Sequence, residues 1–245
     1  MQSNALDFHP AGGYHMPMRI PLTKYGLPQV VIFPAAIIAA MAVAPAVWPK
    51  SLTIWGIILI EILFTLVLIW ILSFFRDPHR PAPADNNLLL SPADGKITDV
   101  DIVQENDFIA DSALRIGIFL SIFDVHINRA PCNVKVEKIT YRPGKFKNAL
   151  NPSSGRVNES NDLWLKRTDS PNDKLILRQI SGAIAKRIVC DTNTGEKLAG
   201  GQKFGMIKFG SRTELYLPTR ENVKPLVKKG DKVKAGLTPI VKYEI

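Results

Sequence analysis

Two patterns of hydrophobic positions divide this chain. Residues 27–48 and 51–75 are almost continuously apolar, whereas from residue 88 onward short apolar runs alternate with turn residues. The first run carries no charge, and as a helix its 22 residues reach about 33 Å, enough to cross a bilayer core. The second is rich in Ile, Leu and Trp and holds one acid, Glu61. Only Pro49 and Lys50 separate the two, which predicts a tight helical hairpin over 27–75, with Pro34 and Pro45 kinking its first arm. Residues 1–26 lack the basic start, apolar core and small-residue cleavage site of a secretory signal. The proline-rich stretch 76–84 cannot continue a helix and predicts a linker over 76–87.

Beyond the linker, apolar and β-branched residues cluster at 88–90, 96–103, 115–122, 134–141, 175–179, 184–189, 206–209, 213–217 and 239–243, each run bounded by turn signals. No long amphipathic helix, βαβ alternation or GxGxxG motif competes with them. The expected fold class is therefore mainly β, a barrel-sandwich or β-sandwich-like catalytic domain over 88–245 behind an N-terminal helical membrane hairpin. One stretch, 141–163, is rich in glycine, proline and asparagine and predicts a long loop of the functional kind.

Charge adds a location. Lys and Arg outnumber Asp and Glu by 31 to 22, a formal net charge of +9, with most of the excess after Pro81. It is spread along the chain without a basic tail or an aromatic-interleaved stripe, which argues against a nucleic-acid partner and for an anionic lipid surface. Arg19 and Lys24 precede the hairpin and Arg76 and Arg80 follow it, against Lys50 at the tip, so both ends are expected in the cytoplasm. A hairpin that spans the bilayer and one that enters a single leaflet fit the pattern equally. Glu61 reads as a carboxyl that helps the two helices pair. The two cysteines, Cys132 and Cys190, are far apart and outside any metal-ligand spacing, which predicts free thiols and no metal centre.

The chemistry centres on Gly210-Ser211, between the runs at 206–209 and 213–217. A Gly-Ser pair between strands ordinarily makes a turn. The second reading is self-cleavage, because glycine tolerates strained dihedrals and leaves its carbonyl open to the next residue's hydroxyl. Two further polar features break the β-rich background. Asp94 lies in Ser-Pro-Ala-Asp-Gly-Lys, a turn signal in its own right. His126, the one histidine after the linker, lies in Ser121-Ile-Phe-Asp-Val-His-Ile-Asn-Arg-Ala-Pro131. Ser211, His126 and Asp94 make a nucleophile, base and orienter set, and a serine hydrolase competes with self-cleavage at this point. The G-x-S-x-G elbow of the α/β-hydrolase type is missing around Ser211.

The block from Arg187 to Arg212, with Gly200-Gly-Gln-Lys-Phe-Gly-Met-Ile-Lys-Phe-Gly-Ser-Arg212, resembles the C-terminal signature of phosphatidylserine decarboxylase proenzymes, in the short bacterial and archaeal branch that carries Gly-Ser-Arg. The likeness extends through 119–131, 91–96 and Phe74-Phe-Arg-Asp-Pro78. It implies autocatalytic cleavage at Gly210-Ser211, with Ser211 becoming a covalent pyruvoyl group, and no metal. His126 would be the base and Asp94 its orienting partner. Phosphatidylserine would bind that group as a Schiff base, and CO2 would leave to give phosphatidylethanolamine. Another serine-headed lipid remains the nearest alternative substrate. By the same resemblance Phe146, Asn148, Asn158 and Glu159 would contact the lipid, and the large and small chains would stay together as a heterodimer, itself able to pair. Such enzymes act at the cell (inner) membrane. Longer relatives carry His-x-x-His at 126–129, so Arg129 stands where they have a second histidine.

Overall fold

The computed structural model describes residues 21–49, 53–151, 153–183, 187–208 and 210–244. The expectations for Lys50 at the hairpin tip, for the start of the 184–189 run and for Phe209 fall outside these residues, as do most of those for the N-terminal segment.

The two apolar runs form helices α1 (Gln29–Val47) and α2 (Ile54–Phe74), each long and apolar enough to cross a membrane. Pro34 and Pro45 lie inside α1. The helices pack on each other and present most of their Ile, Leu, Val and Trp side chains outward, as a lipid-facing hairpin must. Glu61 lines a cleft with Pro45, Ile58 and Thr65, and its Oε1 is buried there.

Among the described residues the remaining regular structure is β, apart from one 3-10 turn at Lys24–Gly26 and α3 (Ser154–Val157). The strands are β1 (Leu88–Leu90), β2 (Gly95–Glu105), β3 (Asp111–Leu120), β4 (Ile127–Arg129) and β5 (Val134–Arg142). They continue with β6 (Ser160–Arg167), β7 (Lys174–Ile180), β8 (Ile188–Cys190), β9 (Lys197–Leu198) and β10 (Lys203–Ile207). The last four are β11 (Ser211–Pro218), β12 (Val223–Pro225), β13 (Lys232–Val233) and β14 (Pro239–Tyr243). Eight strands form one curled antiparallel sheet in the order β13-β2-β3-β11-β7-β6-β5-β9, and two three-stranded sheets, β1-β14-β12 and β4-β10-β8, complete the domain. The main core lies between them, with Leu89, Ile97, Ile116, Ile118, Leu163, Leu177, Phe204, Leu215 and Leu217 all withdrawn from solvent.

The mainly β expectation holds, but β4, β6, β9, β12 and β13 fall outside the expected runs. The loop expected over 141–163 is shorter, because Ser160, Asn161 and Asp162 begin β6 and pair with β5 and β7. Those polar residues are buried against polar partners, so β6 does not show the apolar recurrence by which the other long strands are found. Both cysteines are free.

The hairpin is fastened to the domain. Phe74 and Phe75, at its exit, join Tyr25, Val125, Ile127 and Met206 in a second buried cluster. Arg76 donates to the Phe123 carbonyl at 2.8 Å. Asp77 pairs with Lys203 at 2.6 Å, and Arg80 with Asp94 at 2.5 Å. The proline-rich linker is therefore a strap along the domain at residues 76–80.

Candidate active site

Gly210 stands where the chain leaves the small sheet of β10 and enters the large sheet as β11. β11 is gripped on both sides, by β3 from Ser211 opposite Leu120 onward and by β7 from Arg212 opposite Ile180 onward. The corner between two sheets forces a tight bend, and Gly210 takes it at φ +63°, a conformation that costs glycine little. Its carbonyl is hemmed in. A Cβ on Gly182 would stand 2.0 Å from the Gly210 oxygen, so only a glycine fits opposite it.

Ser211 is fully buried, and its Oγ has no hydrogen-bond partner among the described residues. It shares a face of β11 with Thr213, which accepts a hydrogen bond from Asn128 at 3.1 Å. Asn128 in turn accepts from Gln179 at 2.9 Å, and Gln179 from Asn161 at 3.2 Å. This buried polar string reaches β11 at Thr213, two residues beyond Ser211.

His126 reaches the junction directly, since the Gly210 amide donates to its Nε2 at 3.3 Å. An amide can only donate, so Nε2 carries the lone pair and Nδ1 the proton, which it gives to the Asp124 carbonyl at 2.9 Å. The ring is wholly buried and packs on Phe74 of the hairpin, with centroids 4.4 Å apart. Burial drives its pKa from the ordinary 6.5 down to about 4, against the opposing pull of the Asp124 carbonyl and carboxylate. The imidazole is thus a neutral base at physiological pH.

Asp94 is placed differently from a triad aspartate. It is held by both Arg80 nitrogens, at 2.5 and 2.8 Å, and accepts from the Ala235 amide at 2.8 Å. The Nδ1 position that a triad carboxylate would fill is taken by the Asp124 carbonyl. Asp94 acts on His126 through its charge, and on the Arg129 guanidinium likewise. Arg129 itself donates to the carbonyls of Gly201 and Pro78.

Arg212 is buried behind the junction, on the opposite face of β11. It donates to Glu214 at 2.7 Å, to Asp99 at 2.6 Å and to Thr98 at 2.5 Å. A Cβ on Gly117 would fall 1.9 Å from its guanidinium.

The four residues assigned to the lipid divide in two. Asn158 and Glu159 are buried and hold the loop: the Asn158 amide donates to the carbonyls of Lys147 and Ser181, and Glu159 accepts from Tyr141 at 3.0 Å. Phe146 and Asn148 are exposed, on the loop whose Ala149 abuts Gly182. Sequence reasoning missed Asn128, Gln179, Asn161 and Gly182. Asn128 alone carried a signal, lying between His126 and Arg129 in the same motif.

The family model of phosphatidylserine decarboxylase matches residues 67–241, which include every element of this junction. The chain belongs to the phosphatidylserine decarboxylase family. Among its relatives, a phosphatidylserine decarboxylase proenzyme of Rhodopirellula baltica is 38% identical over 92% of this chain and 89% of its own. One of Carboxydothermus hydrogenoformans is 43% identical over 77% of this chain and 88% of its own, and one of Nitrosomonas europaea 44% over 74% and 81%. Family membership makes the protein a decarboxylase, and its two long apolar helices fit association with a membrane.

Proposed function

We propose that this chain cuts itself between Gly210 and Ser211, and then decarboxylates phosphatidylserine to phosphatidylethanolamine with a pyruvoyl group made from Ser211. The observation that carries this reading is the buried, unpartnered Ser211 hydroxyl joined to a Gly210 held at φ +63°, with His126 Nε2 at the glycine amide. The family supports the reaction class, and the word proenzyme in the relatives' names supports a maturation step.

His126 takes the Ser211 proton, and the freed oxygen attacks the Gly210 carbonyl carbon. The C–N bond breaks as the ester C–O bond forms, and the proton passes to the Ser211 nitrogen. Loss of the Ser211 α-proton expels the Gly210 carboxylate and leaves a carbon–carbon double bond at 211. One water then hydrolyses the resulting enamine and releases ammonia. Arg212 holds the first turn of β11 still during these steps, and Asp94 lends its charge to the protonated ring.

Once formed, the pyruvoyl group supplies a carbonyl for the lipid's serine amine and an electron sink for the pair that CO2 leaves, the service PLP performs elsewhere. His126 then stands ready to return a proton to the carbon that lost CO2. Phe146 and Asn148 face the lipid, the first its acyl chain and the second its headgroup. Residues 1–210 keep the hairpin, residues 211–245 remain bound as the small chain, and the catalytic domain lies on the cytoplasmic side of the inner membrane. A serine hydrolase fits less well, because Ser211 is sealed from any outside substrate. Self-cleavage needs no such access, and it frees the end at 210 to move aside.

Intact-mass measurement tests the reading. Purified protein should show two fragments meeting at Gly210/Ser211, the smaller carrying a carbonyl in place of its amino terminus. Ser211→Ala should give one full-length chain without decarboxylase activity. An active preparation made of uncut chain would overturn the proposal.

A further inference from the structure

Beside the start of the hairpin lies a cleft of about 270 Å³ whose charge is unbalanced. Lys24, Arg187 and Lys208 line it, and among the described residues its one carboxylate is Asp191, already paired with Lys24 at 2.7 Å. Lys208 is the unusual member. It is 4% exposed, and among the described residues the acceptor for its ammonium is the neutral Gln29 Oε1, at 2.9 Å. Burial, and next the neighbouring Arg187 charge, hold its pKa below the usual lysine range. A buried ammonium without a carboxylate is costly unless something anionic joins it.

The position says what that anion is. Gln29 is the first residue of α1, so Lys208 sits at the level where the hairpin leaves the apolar layer. The exposed Leu27 also lines the cleft, giving it an apolar rim beside a cationic floor. An anion at that depth, beside acyl chains, is the phosphodiester of a membrane lipid. Lys208 also lies three residues before Ser211, on the connection that ends in Gly210.

We propose that Lys208 and Arg187, with Lys24 at the rim, form a binding site for a glycerophospholipid phosphodiester beside the Gly210-Ser211 junction. The inference rests on the proposed function, which supplies the lipid substrate and the reaction that reads out its binding. The phosphodiester is either that of the reacting lipid or that of a neighbour in the same leaflet.

The test uses the full-length, self-cleaved protein in phosphate-free maltoside micelles carrying phosphatidylserine. Arg187→Gln and Lys208→Gln should each raise the half-saturating mole fraction of the lipid about tenfold, the loss of one charge-assisted bond, with the effect concentrated there rather than in turnover at saturation. Lys208→Arg should recover most of the loss. Fragment masses of each variant record whether cleavage took place, so failure of self-processing is told apart from failure of this site. If Lys208→Gln is not cleaved, Arg187→Gln and Lys24→Gln carry the measurement. Added phosphatidylglycerol separates the sources. Inhibition of the parent protein that weakens in the variants assigns the site to the reacting lipid, and stimulation that is lost in them assigns it to a neighbour. Unchanged half-saturation together with an unchanged phosphatidylglycerol response in the cleaved variants overturns the proposal.

Discussion

A hydroxyl withdrawn from water and left without a partner costs about 1–3 kcal/mol, and Ser211 carries that cost at the start of a strand that is otherwise fully bonded. The proposed cleavage would relieve it, which would place the uncut form on the high side of its own reaction. The base beside it is set by burial. His126 is neutral because its folded pKa, about 4, lies below the ordinary 6.5. The stability that this burial implies is fully present above pH 6.5 and is lost as pH falls toward 4, about 3 kcal/mol in all. The same shift sets the pH dependence expected of the proposed self-cleavage. Its rate in freshly synthesised chain should stay flat from pH 8 to about 5 and fall as pH approaches 4. A midpoint near 6.5 in a quenched time course would mean that the ring is not buried as described.

At the scale of elements, β11 has two buried faces of opposite character. Thr213, Leu215 and Leu217 point one way, while Arg212, Glu214 and Tyr216 point the other into a nest of charges with Asp99, Arg115 and Arg178. Arg212→Met would strip Asp99 and Glu214 of their nearest cation, leaving them Arg115 at 3.1 Å and Arg178 at 3.9 Å, and should cost about 3 kcal/mol. Chemical denaturation in a Ser211→Ala background checks this without interference from processing. The runs that became β2, β3, β5, β7 and β11 were legible because apolar residues recur along them. β6 was not, because Asn161 is bonded to Gln179 and Asp162 to Arg178, pairings that need the fold to exist. The site shows the same limit. Gly210, Ser211 and His126 could be read from residue type and motif. The occupation of Asp94 by Arg80, and of His126 Nδ1 by a backbone carbonyl, depended on a linker folding back that in sequence looked free.

For the whole molecule, the decisive relation is between anchor and site. Phe74 closes the hairpin and also covers His126, while Arg76, Asp77 and Arg80 tie the strap to the loops and strands around it. The residues that fasten the domain to its apolar hairpin therefore also dry the base proposed to cut the chain. The weave of the last 35 residues carries a further consequence. In residues 211–245, β11 lies between β3 and β7, β13 pairs with β2, and β14 lies between β1 and β12. Under the proposed cleavage these strands, assembled by one continuous chain, become a separate molecule held by hydrogen bonds, packing and ion pairs such as Arg212–Asp99 and Arg220–Asp173. Refolding of the cleaved protein should then lose yield on dilution, while uncut Ser211→Ala refolds independently of concentration, as light scattering and recovered ellipticity would report. Such a protein is assembled once. A chain that makes its reactive group in the proposed way discards the covalent instruction for rebuilding itself, and its working life ends with its first complete unfolding.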